Sequence, residues 1–224
     1  MFGVLEPVLT DAPQRVFKTK TIIMHQGEAK LNAYAVIRGL VKVYTISAQG
    51  NEQVVTFHGP GDVFPSSWIF DTAPGALFFY QTCLETEVYC LDRETFLQKV
   101  YESPQRTQAL LDHFARRYTA DTVRINALQQ PRAREKLLYT LFYLCQRYNT
   151  SGSPNLEIPF PLTQQLLGGL VGLTRETTAT ELNKLRRLGV ITYDKQHYGI
   201  NAKKLIAAMG SGDYDNLCSI RHQT

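Results

Sequence analysis

Cysteine is scarce in this chain, and tryptophan occurs once. The four cysteines, Cys83, Cys90, Cys145 and Cys218, form no CxxC pair, and none precedes Cys83. A zinc ribbon or a dithiol redox motif is therefore not written in them, and they read as reduced thiols of a cytoplasmic protein. There is no apolar run of about 18 residues, so a membrane-spanning helix is not expected. The opening Met1-Phe2-Gly3-Val4-Leu5-Glu6-Pro7 has no basic region followed by an apolar core, and a secretory signal is not expected either. Internal repeats are lacking too.

The formal charge is small, +4, but it is unevenly placed. Residues 130–224 hold 12 Lys/Arg against 7 Asp/Glu, a surplus of +5, whereas residues 1–129 hold 12 against 13, or −1. A basic C-terminal part joined to a near-neutral N-terminal part suits a DNA reader attached to something else. The length of 224 residues with 44% apolar content allows two packed cores.

What is there is most informative between Leu162 and Ile191. The pattern is a helix, a short turn and a second helix. Thr163 and Thr174 are candidate N-caps, because a hydroxyl can accept from an unpaired amide of the first helical turn. Gly172 suits the sharp turn between the helices. Gly168 reads as the small residue where they meet, and Gly169 as a mid-helix cost of about 1 kcal/mol. Leu166, Leu167 and Leu170 make an inward stripe, as do Leu182, Leu185 and Leu188. Opposite the second stripe lie Arg175, Glu176, Thr180 and Asn183. A helix buried on one face and polar in its N-terminal half fits a DNA major groove.

The run Gly172-Leu173-Thr174-Arg175-Glu176-Thr177, followed by Leu182, Leu185 and Val190-Ile191, resembles the recognition helix of the Crp/Fnr family of bacterial transcription regulators. The resemblance covers roughly residues 15–209. It implies an α+β chain: an N-terminal jelly-roll-like β-roll sensor (1–103), a long dimerisation helix (104–130), a C-terminal winged helix-turn-helix (131–209) and a mobile tail (210–224). By the same resemblance, Arg175, Glu176 and Thr180 are the base-facing residues. Thr163, Gln165, Thr174 and Thr177 touch phosphates, and Lys195 and His197 on the wing add phosphate contacts. Arginine can fork onto guanine, and glutamate can accept from a cytosine amino group. The family commonly has arginine where Thr180 stands, so the operator differs from the common sites, or Asn183 and Lys184 contribute. The partners implied are double-stranded promoter DNA, a second copy of the chain as a homodimer, RNA polymerase and a small-molecule effector.

The remaining elements agree with this order. β-rich runs at Ala35-Val36-Ile37, Leu40 to Tyr44 and Val54 to Phe57 are separated by turn signals at Gln26-Gly27-Glu28, Arg38-Gly39, Gln49-Gly50-Asn51 and Gly59-Pro60-Gly61-Asp62. Leu110, Leu111, Phe114, Tyr118, Thr122, Ile125 and Leu128 follow at helical steps, which resembles a coiled-coil seam. Of these, Leu111, Phe114, Tyr118 and Ile125 are the expected dimer contacts, and Arg116, Arg117 and Arg124 are expected on or near the exposed flank. Pro131 opens a further helix, Arg132 to Tyr148, with Leu137, Leu138, Leu141 and Leu144 inward. Val190 to Tyr193 and His197 to Ile200 read as a two-stranded wing, with Asn201 capping a last short helix.

The resemblance also says what the sensor lacks. The family's cyclic-nucleotide pocket has a Gly-Glu after the Gly-Asp turn and an Arg-Ser further on. Here those places hold Pro65-Ser66 and Ala76-Leu77. A cyclic phosphate would be left without its cationic partner, so cyclic AMP is not the expected effector. An effector would lie near Phe64, Ser66, Ser67, Trp68 and Thr122. The aromatics Phe64, Trp68, Phe70, Phe78, Phe79 and Tyr80 either line an apolar pocket or belong to the β-roll core. With no cysteine before Cys83, the iron-sulfur cluster of the oxygen-sensing branch is not expected, and no metal site or cofactor is assigned. His25, His58 and His113 are isolated in sequence. Two further readings stay open: an effector-independent DNA-binding regulator with a vestigial β-roll, and a cupin-type metalloenzyme, which would need a His-x-His cluster. The chain reads as a regulator and not an enzyme.

Overall fold

The computed structural model describes residues 3–29, 32–148, 155–194 and 196–210. It divides into two compact units, residues 1–115 and 116–224.

In the first unit a single turn, Gly3–Leu5, leads into helix α1 (Glu6–Leu9). Eight strands follow: β1 (Gln14–Phe17), β2 (Ile22–Met24), β3 (Asn32–Arg38), β4 (Val41–Ile46), β5 (Glu52–His58), β6 (Val63–Phe64), β7 (Phe79–Thr82) and β8 (Thr86–Asp92). A short helix, α2 (Ser66–Ile69), separates β6 from β7. The strands form two antiparallel four-stranded sheets, β1-β8-β3-β6 and β2-β7-β4-β5. This is the expected β-roll. Gly27, Gly39, Gly50 and Gly61, all at the turn signals, have positive φ. At Gly39 the need is also spatial, since a β-carbon would stand 2.6 Å from the Glu85 carbonyl oxygen.

Strand β3 shows how the sequence pattern becomes a two-sided core. Successive side chains point to opposite faces of a sheet. Tyr34 and Val36 face the second sheet, in a cluster with Met24, Val43, Phe64, Tyr80 and Val88. Ala33 and Ala35 face outward into a second cluster built by Val8 and Leu9 of α1, Ile69 of α2, Phe96 and Val100 of helix α3 (Arg93–Tyr101), and Leu110. With both faces covered, the run from Ala33 to Ile37 is continuously apolar instead of alternating.

Helix α4 runs from Pro104 to Gln129 without a break, and the division between the units falls within it. The second unit contains the rest of α4, then α5 (Ala133–Tyr148), β9 (Asn155–Glu157), α6 (Gln164–Val171), α7 (Arg175–Arg187), β10 (Ile191–Asp194), β11 (His197–Asn201) and α8 (Ala202–Met209). Leu137, Leu138, Leu141 and Leu144 of α5 are buried, as their spacing predicts. Asn201 caps α8, its side chain accepting from the Lys204 amide at 2.9 Å. The wing differs from the expected hairpin. Strand β9 pairs with β11, placing Leu156 opposite Ile200, so the sheet has three strands in the order β10-β11-β9. A three-residue strand with one buried side chain has too short a pattern to stand out from a loop.

Four other side chains depart from the expectation, Arg117 of α4 among them, which is half-buried. Phe114 does not join an exposed seam. It is half-buried against the outer cluster of the first unit, its ring edge-on to Phe70 with centroids 5.2 Å apart. At about 100° per residue, Phe114 lies about 40° from the buried Leu110 but about 60° from Leu111, so it turns with Leu110. Arg124 shares a helix face with the buried Ala120 and Ala127 and is itself half-buried, not on the exposed flank. Leu188 is exposed, because each three-residue step drifts about 60° around the helix and two such steps carry Leu188 about 120° from the buried Leu182.

Candidate nucleic-acid interface

The site is built on α6 and α7. Thr163 caps α6, its hydroxyl accepting from the Leu166 amide at 3.1 Å. At the other end Gly172 adopts φ 72°, and the amides of Gly172 and Leu173 both return to the Gly168 carbonyl. The chain is thereby reversed into Thr174, whose hydroxyl accepts from the Thr177 amide at 3.2 Å and caps α7. The same hydroxyl donates to the Thr177 hydroxyl at 3.0 Å. Thr177, acting as acceptor there, keeps its own proton to donate.

The two helices meet at Gly168. A β-carbon at that position would stand 3.0 Å from both the Leu173 carbonyl oxygen and the Thr178 hydroxyl. Thr178 is fully buried, and its hydroxyl donates to the Thr174 carbonyl at 2.8 Å. Leu182 and Leu185 complete the buried face of α7, with Leu167, Leu170 and Val171 of α6 buried as well.

The opposite face of α7 is free of such packing. Arg175, Glu176, Thr180 and Asn183 are all exposed, and all lie on one polar side of the helix. Glu176 occupies the first turn, where the helix dipole favours an anion, and Lys184, Arg186 and Arg187 occupy the last, where it favours cations. Lys184 is tied to Glu181 at 2.6 Å, so it is not an unengaged cation of this face. Arg186 and Arg187 are exposed and were not among the residues singled out from the sequence. Thr163 is half-buried, and Gln165 is exposed. On the wing, His197 is exposed and pairs in register with Asp194, while Lys195 lies outside the described residues.

Behind this surface, the guanidinium of Arg124 donates to the Leu170 carbonyl at 3.1 Å. Burial pulls the Arg124 pKa below its usual value, against the opposing influence of Tyr143 and Asp121.

The residues expected around an effector differ in burial. Phe64 is fully buried in a stack of rings, 5.3 Å from Tyr34, 4.8 Å from His58 and 5.4 Å from Tyr80. Phe79 stacks on Tyr44, and Phe78 packs against the same inter-sheet cluster. These aromatics therefore serve the β-roll core. Ser66 is exposed and Ser67 half-buried at the start of α2, which also contains Trp68. Thr122 is exposed on α4 and belongs to the second unit. Of the two residues standing in the Arg-Ser place, Ala76 is buried and Leu77 exposed. The three histidines lie apart, each against an aromatic ring: His25 on Phe79, His58 on Phe64 and His113 on Phe114.

Comparison with known proteins agrees with this division. The family model of a cyclic nucleotide-binding domain matches residues 14–102, and that of a Crp-like helix-turn-helix domain matches residues 135–207. The anaerobic regulatory protein of Aggregatibacter actinomycetemcomitans is 28% identical over 181 residues, spanning 80% of this chain and 69% of its own. The regulatory protein HlyX of Actinobacillus pleuropneumoniae is 29% identical over 181 residues, spanning 80% and 74%. The solved structure of FixK2 from Bradyrhizobium japonicum shares the fold with a TM-score of 0.74 at 21% identity, covering 90% of this chain and 98% of that one. A β-roll of cyclic-nucleotide-binding type joined to a winged helix-turn-helix defines a DNA-binding transcription regulator. This chain belongs to the Crp/Fnr family. No helix among the described residues is long and apolar enough to cross a membrane.

Proposed function

We propose that this regulator binds a two-fold operator in promoter DNA as a homodimer, working with RNA polymerase under the control of an effector that is not cyclic AMP. The observation that carries the dimer is on α4. Leu111, Tyr118 and Ile125 follow one another at seven-residue steps and are 58%, 75% and 57% exposed. A heptad of large apolar side chains facing water is the pattern of a two-helix seam awaiting its partner. Two copies related by a dyad present two α7 helices to half-sites about 34 Å apart.

In each half-site Arg175 and Glu176 read bases, with Thr180 and Asn183 at the edge of the readout. Thr163, Gln165, Thr174 and Thr177 hold the phosphate backbone, the Thr177 hydroxyl having a proton to donate. The absence of cyclic-nucleotide control is supported by the pairs Pro65-Ser66 and Ala76-Leu77, which supply neither a carboxylate for a ribose nor a cation for a phosphate. The effector is instead a small molecule received near Ser66, Ser67 and Trp68.

Sedimentation of the full chain, with and without a duplex it selects from random DNA, tests the assembly. A dimer at micromolar concentration and two dyad-related half-sites in the selected sequence are expected. A monomer in both conditions overturns the reading. Calorimetry with cyclic AMP and cyclic GMP is expected to show no micromolar binding.

A further inference from the structure

Helix α6 has a gap in its own sequence that another element fills. Its last turn carries no basic residue to face the negative end of the helix dipole. The Gly168 carbonyl is bonded by the Gly172 and Leu173 amides as the chain turns. The Leu170 carbonyl, one residue before the helix end, receives instead the guanidinium of Arg124, at 3.1 Å. We propose that Arg124 is a positioning residue for DNA reading: from α4 it caps the C-terminal end of α6 and so holds the turn that presents α7.

The chain of contacts is short and lies within the second unit. Arg124 fixes the last turn of α6 by a charge-assisted bond in a half-buried setting, where such a bond is stronger than in water. Helix α6 packs closely on the start of α7 at Gly168, where a β-carbon would stand 3.0 Å from both the Leu173 carbonyl oxygen and the Thr178 hydroxyl. Thr178 in turn holds the carbonyl of Thr174, the cap of α7. Arg175 and Glu176 follow directly on that cap. Arg124 also neighbours Ile125 of the exposed α4 stripe, so one helical turn serves both the outer seam and the reading head. Its cation is spent on a carbonyl and not on a phosphate, which separates its effect on DNA from that of a surface arginine.

The test uses the full chain and a duplex selected by the wild-type protein from random DNA. Arg124→Met keeps an unbranched apolar stem and removes the donors, whereas Arg124→Lys keeps a donor and the charge. Arg124→Met is expected to weaken binding about tenfold or more, because a bond to a charged group is lost from a partly desolvated site. The slope of affinity against salt is expected to stay unchanged. Amide exchange is expected to quicken at Gly172 and Leu173 and to stay unchanged in α5, at Leu141 to Leu144. Arg124→Lys is expected to recover most of both losses. Three results overturn the proposal. One is wild-type affinity and exchange in Arg124→Met. Another is a salt slope lower by about one, which marks a phosphate contact. The third is protection lost equally in α5, or no recovery by lysine, which marks a general loss of packing.

Discussion

Gly168 and Thr178 approach so closely that a β-carbon on the glycine would stand 3.0 Å from the threonine hydroxyl. The contact sets the spacing of the two helices of the DNA-reading motif. Gly168→Val is expected to destabilise the second unit by about 1–3 kcal/mol, the usual cost of overpacking. Gly168→Ala is expected to lose less, since alanine recovers about 1 kcal/mol of helix propensity. Thermal unfolding of both variants checks the order, and an unchanged midpoint in the valine variant refutes the contact.

The cap at Thr174 acts on α7 alone. Thr174→Ala removes the acceptor for the Thr177 amide and is expected to cost about 1 kcal/mol of stability. It is also expected to weaken selected and scrambled duplexes by similar factors, since the cap sets position and carries no base preference. Titration against both duplexes measures this.

Base preference is expected to follow Arg175. Arg175→Ala is expected to cost about 1–3 kcal/mol per half-site and relax one base pair of the selected sequence. Thr180→Arg, on the exposed face away from Leu182 and Leu185, is expected to shift selection toward the family's common half-site. An unchanged selection in Arg175→Ala would mean that the reading face is elsewhere.

Leu111 and Phe114 are three residues apart on α4 and are expected to respond differently. Tyr118→Glu and Leu111→Glu, both on exposed positions, are expected to shift the sedimentation of the protein toward monomer while leaving its thermal midpoint within a few degrees. Phe114→Ala opens the contact with Phe70 and is expected to lower the stability of the β-roll unit. Association lost only in Phe114→Ala would place the seam on the wrong face.

The phenols of Tyr80 and Tyr198 give the alkaline limb a predictable shape. Burial raises both pKa values above the ordinary value. The folded chain therefore holds these protons longer than the unfolded one. Their contribution to stability is complete below the unfolded value of about 10 and is lost as pH rises through the higher folded value. The Tyr198 hydroxyl has no hydrogen-bond partner among the described residues. Tyr198→Phe is thus expected to be neutral or stabilising at pH 7 and to flatten the fall above pH ~10. Thermal midpoints of both proteins across that range decide it, and a loss at pH 7 would reveal a hidden partner.

The parts legible in the sequence are those set by neighbours along the chain. Thr163, Thr174 and Asn201 cap their own first turns, so their roles are complete within four residues. The positive φ at Gly172, like those of the β-roll turns, is also a local demand. The exposed face of α7 follows from helical periodicity once Leu182 and Leu185 are known to be buried.

Tertiary structure decided what periodicity leaves open. A helical pattern says which side chains share a face, not what that face meets. Phe114 and Leu111 both look like seam residues until the β-roll claims Phe114 through Phe70 and the outer cluster. Arg124 looks like a surface cation until α6 comes within reach of it, 46 residues along the chain. Strand β9 exists because β11 offers it a partner, and its own three residues carry too little pattern to announce it. The sequence by itself therefore determined the reading helix, its caps and its turn, because these are short-range consequences of backbone and side-chain chemistry. Which apolar side chains stay exposed, and which charge caps which helix, was decided only when distant segments packed, since those pairings depend on distances no local pattern encodes.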